Sequence, residues 1–234
     1  MKGQLILLRH GQSLYNQKNL FTGWTDIDLS EQGIQEARSA GKTLSHYRIY
    51  PDICFTSWLK RAIHTAQLAL EEMEWEQIDI VRSWKLNERH YGAWQQRNKD
   101  EIKAEVGETA FFAIRRGFDR SPPALEEGDP RLLQDNSKYR EIDPGLLPRR
   151  ESLEDTAKRV LSYFFEKIAP QLARGKTVMV SAHGNSLRAL VMAIEKIDRK
   201  EVERLEIPTG LPIVYDFDDM INMTKKTILK KSHP

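Results

Sequence analysis

Two short apolar runs in this chain of 234 residues each end in a histidine followed by glycine. They are Leu5-Ile6-Leu7-Leu8-Arg9-His10-Gly11 and Val178-Met179-Val180-Ser181-Ala182-His183-Gly184. A neutral imidazole is a good nucleophile near pH 7, and carrying a phosphoryl group on it splits one difficult transfer into two easier ones. In an open α/β sheet, ligands bind in the crevice beyond the carboxyl ends of the strands, so two strand-ending histidines point to one shared site. Glycine after each histidine is expected to let a bulky anion approach the backbone with no Cβ in the way.

The elements that would position these histidines are readable in the same terms. Gln4 to Leu8 reads as a buried strand, and Ser30 with apolar or small positions 34, 37, 41 and 44 reads as an N-capped amphipathic helix. Asp52 to Thr56 predicts a second strand, followed by a helix through Leu59, Ala62, Ile63, Ala66 and Leu70. Gln77 to Val81 predicts a third strand. Ser152-Leu153-Glu154-Asp155 resembles a capping box opening a helix with Val160, Leu161, Phe164, Ile168 and Leu172 on its apolar face. Lys176 to Ala182 then predicts a fourth strand, Asn185 to Glu195 a helix, and Pro212 to Phe217 a late strand, placed at an edge because of its proline. Strands alternating with helices imply an α/β fold, a three-layer α/β/α arrangement on a mostly parallel central sheet of about six strands.

From Trp84 to Arg150 the pattern breaks into a proline- and glycine-rich stretch with helix-like pieces near 99 to 106 and 109 to 116, expected to be an ordered cap inserted over the site (about 84–150). The expected organisation is a single domain over 1–234, with a lysine-bearing tail at 219–234 that is mobile by composition. Thirty-six basic against thirty-four acidic side chains leave a charge of +2, too balanced for nucleic acid or a membrane surface as the main partner. One cysteine, Cys54, excludes an intrachain disulfide and reads as a small buried hydrophobe, and the apolar start is too short for a signal or spanning segment. The cytoplasm is the expected compartment. No metal-ligand spacing and no nucleotide phosphate loop is present, so no metal cofactor is expected.

The blocks Leu8-Arg9-His10-Gly11-Gln12-Ser13, Asn16, Phe21-Thr22-Gly23-Trp24-Thr25-Asp26 and Leu29-Ser30-Glu31-Gln32-Gly33 resemble the cofactor-dependent phosphoglycerate mutases of the histidine phosphatase superfamily. Ser57-Trp58-Leu59-Lys60-Arg61-Ala62, Leu86-Asn87-Glu88-Arg89-His90-Tyr91-Gly92, Asn98-Lys99, Arg115-Arg116, Leu147-Pro148, Glu151-Ser152-Leu153, Ala182-His183-Gly184-Asn185-Ser186 and Ile207-Pro208-Thr209-Gly210 continue the resemblance in order. The ensemble is specific where a lone Arg-His-Gly is not. The chain departs from the family at Gln95-Gln96-Arg97, which is more polar than the small or apolar residues usual there.

The resemblance implies interconversion of 2-phosphoglycerate and 3-phosphoglycerate, primed by 2,3-bisphosphoglycerate as phosphoryl donor, with small-molecule phosphoglycerates as the partners and a homodimer or homotetramer as the assembly. It makes His10 the phosphoryl carrier, with Arg9, Arg61 and His183 neutralising the group and Glu88 moving the proton that each transfer to or from a hydroxyl requires. Holding the carboxylate and distal phosphate falls to Ser13, Asn16, Thr22, Gly23, Arg89, Tyr91, Lys99, Arg115, Arg116, Gly184 and Asn185. His90 is expected to pack beside Glu88, and His46, His64 and His233 are given no role. Two other readings use the same residues: a phosphomonoester hydrolase with water as acceptor, and a non-catalytic phosphate-binding module.

Overall fold

The computed structural model describes residues 2–133 and 136–230. Its six strands are β1 (Gln4–Arg9), β2 (Ile53–Thr56), β3 (Ile80–Arg82), β4 (Thr177–Ala182), β5 (Ile213–Phe217) and β6 (Met223–Ile228), in the sheet order β3-β2-β4-β1-β5-β6. The helices are α1 (Leu14–Gln17), α2 (Glu31–His46), α3 (Lys60–Glu72), α4 (Lys99–Val106), α5 (Glu108–Arg116), α6 (Leu153–Tyr163), α7 (Ala169–Ala173), α8 (Gly184–Glu195) and α9 (Arg199–Arg204). Side chains alternate across a strand, and β1 uses both faces. Ile6 and Leu8 pack with Ala40 and Leu44 of α2 and Ala66, Ala69 and Leu70 of α3. Leu5 and Leu7 join Val160 of α6, Leu172 of α7 and Leu187 and Leu190 of α8 on the other side. A strand apolar on both faces requires helices on both, which is the three-layer arrangement the sequence predicts.

Register places the chemistry. β1 and β4 are parallel with Arg9 opposite Ala182, and the His10 amide donates to Ala182 O at 2.9 Å, so His10 and His183 leave adjacent strands at the same level. β2 lies on the other side of β4 with Thr56 opposite Ser181, which delivers Ser57 to the same level. The caps form as the sequence predicts: Ser30 Oγ accepts from Gly33 N, and Ser152 and Asp155 make a reciprocal capping box.

Four expectations differ. β3 is Ile80–Arg82 rather than Gln77 to Val81, because its single partner, β2, offers pairing at only Cys54, Phe55 and Thr56. β5 is interior, antiparallel to both β1 and β6, since Pro212 stands just before the first paired residue and its missing N–H falls outside the ladder. The edge on that side of the sheet is instead β6, inside the segment expected to be a mobile tail. Its lysines suit an exposed edge, and buried Leu229, whose amide donates to Pro212 O at 3.1 Å, anchors it. Residues 231–234 of that tail, with Lys231 and His233, lie outside the described residues. Finally, the helix opened by Ser152 passes through a π-helical turn at Phe164–Ile168 before α7. Pro170 has no N–H for the carbonyl four residues back, so the regular ladder stops there.

The stretch between β3 and α6 carries α4 and α5 and short 3-10 turns at Trp84–Leu86, Gly92–Trp94 and Pro144–Leu146, an ordered cap. Among the described residues no helix is long and apolar enough to cross a membrane.

Candidate active site

His10 sits where β1 ends and is almost wholly buried. Its Nδ1 lies 2.7 Å from Gly11 O, and a carbonyl only accepts, so Nδ1 carries the proton and Nε2 keeps its lone pair. Burial holds the imidazole well below its usual value of 6.5, with Arg61 and then Arg9 adding to the effect. A neutral ring with a free Nε2 is the nucleophilic form.

His183 ends β4, and its ring centroid stands 5.0 Å from that of His10 at a tilt of 60°. Its Nε2 is 2.7 Å from Ser57 Oγ, which itself accepts from Leu59 N, while its buried Nδ1 has no partner. Burial, and after it Arg61, keeps this ring neutral too.

The two glycines differ in purpose. A Cβ on Gly11 would meet Gly33 O at 2.2 Å, so glycine is needed there for the β1–α2 approach and not, as expected, for ligand access. A Cβ on Gly184 would find only ordinary contacts, at 3.6 Å from the Arg9 guanidinium and from Glu88 Oε2, and Gly184 does border the cavity.

Arg61, at the start of α3, is 1% exposed and donates to Thr25 O at 3.0 Å and Gly23 O at 2.8 Å, shaping the 22–25 turn. Burial lowers it to about 10, which leaves it charged at neutral pH. Arg9 Nη1 donates to Ile207 O at 2.6 Å. Glu88 Oε1 accepts from Arg89 N at 2.8 Å and from Asn185 N, in the first turn of α8, at 3.0 Å. Its second oxygen lies towards Gly184 and the cavity.

The cavity beyond β1 and β4 is lined by Arg9, His10, Asn16, Thr22, Gly23, Arg61, Glu88, Tyr91, Lys99, Arg115, Arg116, Gly184 and Asn185 of the expected residues. Three expected residues stand behind its wall. Ser13 is fully buried in a capping box with Asn16, His183 lies behind His10, and Arg89 donates to Ile114 O at 2.7 Å with its guanidinium 4.5 Å over the Tyr91 ring. The wall also includes Leu20, Arg188, Leu205 and Glu206, which sequence reasoning missed, and Phe21 and Ile207, which it named within the family blocks without a role. Arg188 was findable, because it follows Gly184 by four residues on α8 and so shares its face. It donates to Asn185 Oδ1 at 2.9 Å, to Arg116 O at 2.8 Å and to Val202 O. Leu205 and Glu206 carry no local signal; they arrive from the segment after α9.

The cap supplies cations. Lys99, at the start of α4, is lowered to about 8 by burial and then by Arg115 and Arg9. Arg116 donates to Glu203 O and Leu205 O and pairs with Glu206 at 3.2 Å. Buried polar atoms without partners gather at this site: Arg9 Nε, Thr22 Oγ1, Arg61 Nε, Arg89 Nε and Nη1, His183 Nδ1 and Arg188 Nε. Unpaired buried donors are costly, and a bound polyanion would satisfy those on the residues that line the cavity, Arg9, Thr22, Arg61 and Arg188. No group of residues able to hold a metal ion occurs among the described residues.

The remaining histidines lie elsewhere in chemical terms. His90 is buried, accepts from Gly92 N and is lowered to about 3 by burial, Arg159 and Arg131. His64 faces Asp28 at 2.7 Å, and His46 packs edge-on to Tyr47. Cys54 is buried, and burial pushes its thiol up to about 12, an inert state.

A family model described as the histidine phosphatase superfamily, branch 1, matches residues 5–129 and 126–222. A 2,3-bisphosphoglycerate-dependent phosphoglycerate mutase of Thermobifida fusca is 49% identical over 215 residues, covering 92% of this chain and 87% of that protein. Phosphoglycerate mutase 1 of Saccharomyces cerevisiae is 46% identical over 222 residues, covering 95% and 90%. Among solved structures, a mycobacterial glucosyl-3-phosphoglycerate phosphatase superposes with a TM-score of 0.74 at 24% identity over 98% of this chain and 100% of that one. A phosphoglycerate mutase from Bacillus anthracis gives 0.69 at 22% over 99% and 92%. At those identities the structures speak for the fold alone.

Proposed function

This chain belongs to the histidine phosphatase superfamily, and from that premise we propose that it is a 2,3-bisphosphoglycerate-dependent phosphoglycerate mutase, an isomerase that interconverts 2-phosphoglycerate and 3-phosphoglycerate. The observation that carries the reading is the pair of buried neutral imidazoles 5.0 Å apart, walled by arginines and by one free carboxylate oxygen of Glu88.

The bound bisphosphoglycerate supplies the phosphoryl group that first loads His10. The cluster of unpartnered guanidinium and hydroxyl groups fits such a polyanion. His10 Nε2 then holds the phosphoryl group while Arg9, Arg61 and His183 stabilise its charge. As the substrate hydroxyl oxygen takes the phosphorus, the N–P bond breaks and Glu88 accepts the hydroxyl proton. In the return step His10 Nε2 takes the other phosphoryl group, and Glu88 gives the proton back to the departing oxygen. Lys99, Arg115, Arg116 and Arg188 hold the carboxylate and distal phosphate; Asn16, Thr22, Gly23, Tyr91, Gly184 and Asn185 complete the cradle, with Ser13 and Arg89 supporting it from behind. The cap keeps water from the loaded histidine.

The test is conversion of 3-phosphoglycerate to 2-phosphoglycerate with a trace of 2,3-bisphosphoglycerate and a chelator present, and His10→Ala as control. Isomer formation supports the reading, release of inorganic phosphate alone selects a hydrolase, and neither product selects a binding module. A single mutase domain over 1–234, a cytoplasmic site of action and a homodimer or homotetramer belong to the same proposal, and sedimentation of the purified chain tests the last.

A further inference from the structure

Residues 85 to 90 carry Glu88 through the start of the cap without a ladder to satisfy their backbone. Three of their carbonyls are met by one side chain. Arg159 of α6 donates to Lys85 O and Asn87 O at 2.9 Å through Nη1 and to Glu88 O at 2.8 Å through Nη2. Its remaining two donors, Nε and the second proton of Nη2, bind Glu151 side-on at 2.6 and 2.7 Å. All five guanidinium protons are thereby used, a fork that no other side chain offers. Glu151 in turn accepts from His90 N at 2.8 Å, and the pair is nearly sealed from solvent, with side chains 9% and 5% exposed. Trp24 Nε1 fills the second lone pair of Glu88 O, and the Arg159 guanidinium lies 5.4 Å over the Trp24 ring. Residue 88 is thus gripped at its carbonyl by two donors and at Oε1 by two backbone amides, which leaves Oε2 alone unoccupied, beside the cavity.

We infer that the Arg159–Glu151 pair, with Trp24, is a positioning device that aims Glu88 Oε2 at the substrate hydroxyl. Neither Arg159 nor Glu151 lines the cavity, so both act through Glu88. The inference rests on the reading of Glu88 as the proton carrier.

The two are separated by measuring how fast His10 is phosphorylated from two donors. The alcohol leaving group of 2,3-bisphosphoglycerate needs a proton as its P–O bond breaks, whereas the phenolate of 4-nitrophenyl phosphate leaves without one. Arg159→Lys and Glu151→Gln should slow loading from the bisphosphate by about 10- to 100-fold, the scale of a displaced catalytic group. Loading from the aryl phosphate should change by less than about threefold, since proton transfer supplies no part of it. KM for 3-phosphoglycerate should stay near the parent value while kcat falls. Trp24→Phe, a milder change, should show the same donor dependence more weakly, and it carries the test with Glu151→Gln should Arg159→Lys fail to fold. Equal slowing with both donors would make the pair merely structural and overturn the inference, as would unchanged loading from the bisphosphate. Glu88→Gln is run alongside. If it lacks donor dependence, the reading of Glu88 fails; if it has donor dependence and the clamp variants do not, only the clamp is wrong.

Discussion

On the sheet side of the cavity, Arg9, His10 and His183 leave β1 and β4, whose parallel ladder runs unbroken from Gln4 opposite Thr177 to Arg9 opposite Ala182 and is buried on both faces. On the cap side, Lys99, Arg115 and Arg116 ride on two short helices joined at Gly107 and packed through a small cluster of Phe21, Tyr91, Trp94, Ile102 and Phe111, with Val106 and Ile114 against it. The groups proposed to make and break bonds to phosphorus thus sit at the end of the fully paired, buried centre of the sheet. The groups proposed to grip the far end of the substrate sit on a satellite with its own small cluster, the kind of element expected to open at lower cost than the central sheet. Glu88 stands at the seam.

The largest expected effect breaks the sheet side. His10→Ala should lower mutase activity by at least about 10⁴-fold and abolish acid-labile phosphate on the protein, because the proposed nucleophile has no replacement among the residues lining the cavity. Next, Phe111→Ala takes a ring out of the cap cluster, at a cost of about 3–5 kcal/mol for such truncations. Hydrogen exchange should then lose protection in α4 and α5 and keep it in β1 and β4, while KM rises more than kcat falls. Were protection lost equally everywhere, the two halves would be one cooperative unit.

The protein should also respond to pH on both sides of neutrality. His10, His183 and His90 are all held below 6.5 in the folded chain, chiefly by burial, so below about pH 6.5 the unfolded chain takes up protons that the folded chain refuses. Stability should therefore fall as pH drops from about 6.5, by up to ~1.4 kcal/mol per pH unit for each histidine, as chemical denaturation at a series of pH values would reveal. Lys99, at about 8, loses its charge as pH rises, so KM should climb above that pH and the climb should vanish in Lys99→Arg.

The smallest effect concerns the departure at Gln95-Gln96-Arg97. Gln96 adopts φ 72°, the left-handed region, while its amide donates to Phe21 O at 2.8 Å, so side-chain strain is accepted to hold that turn. Gln96→Gly should stabilise the protein by about 0.5–1 kcal/mol, read as a higher denaturant midpoint with the slope unchanged.

Much of this was legible along the chain. The apolar runs before His10 and His183, the capping residues Ser30 and Ser152, and the helical pieces of the cap are patterns whose partners lie one to four residues away. The misreadings share a cause. Pro212 suggested an edge because its effect was judged without knowing that the ladder starts at Ile213. The lysines after Asp219 suggested a frayed tail because the anchor at Leu229 works through partners distant in sequence, Pro212 O before β5 and the core around Ile6, Leu8 and Leu44. Gly11 was credited with admitting an anion when the atom it makes room for is Gly33 O. Arg159 and Glu151 drew no notice as a pair because their targets, Lys85 to His90, are some sixty to seventy residues away.

Residue types, their order and their local periodicity were enough to specify an α/β sheet ending in two imidazoles, since such patterns report interactions within a turn or along a strand. Which oxygen of Glu88 is free, which nitrogen of His10 holds the lone pair, and how the arginines are shared between backbone carbonyls and the cavity were decided only by folding. Arg9 illustrates the reason: its guanidinium is held by Ile207 O, 198 residues along the chain, and a hydrogen bond over that separation is determined by sheet register and packing, which no short stretch of sequence encodes.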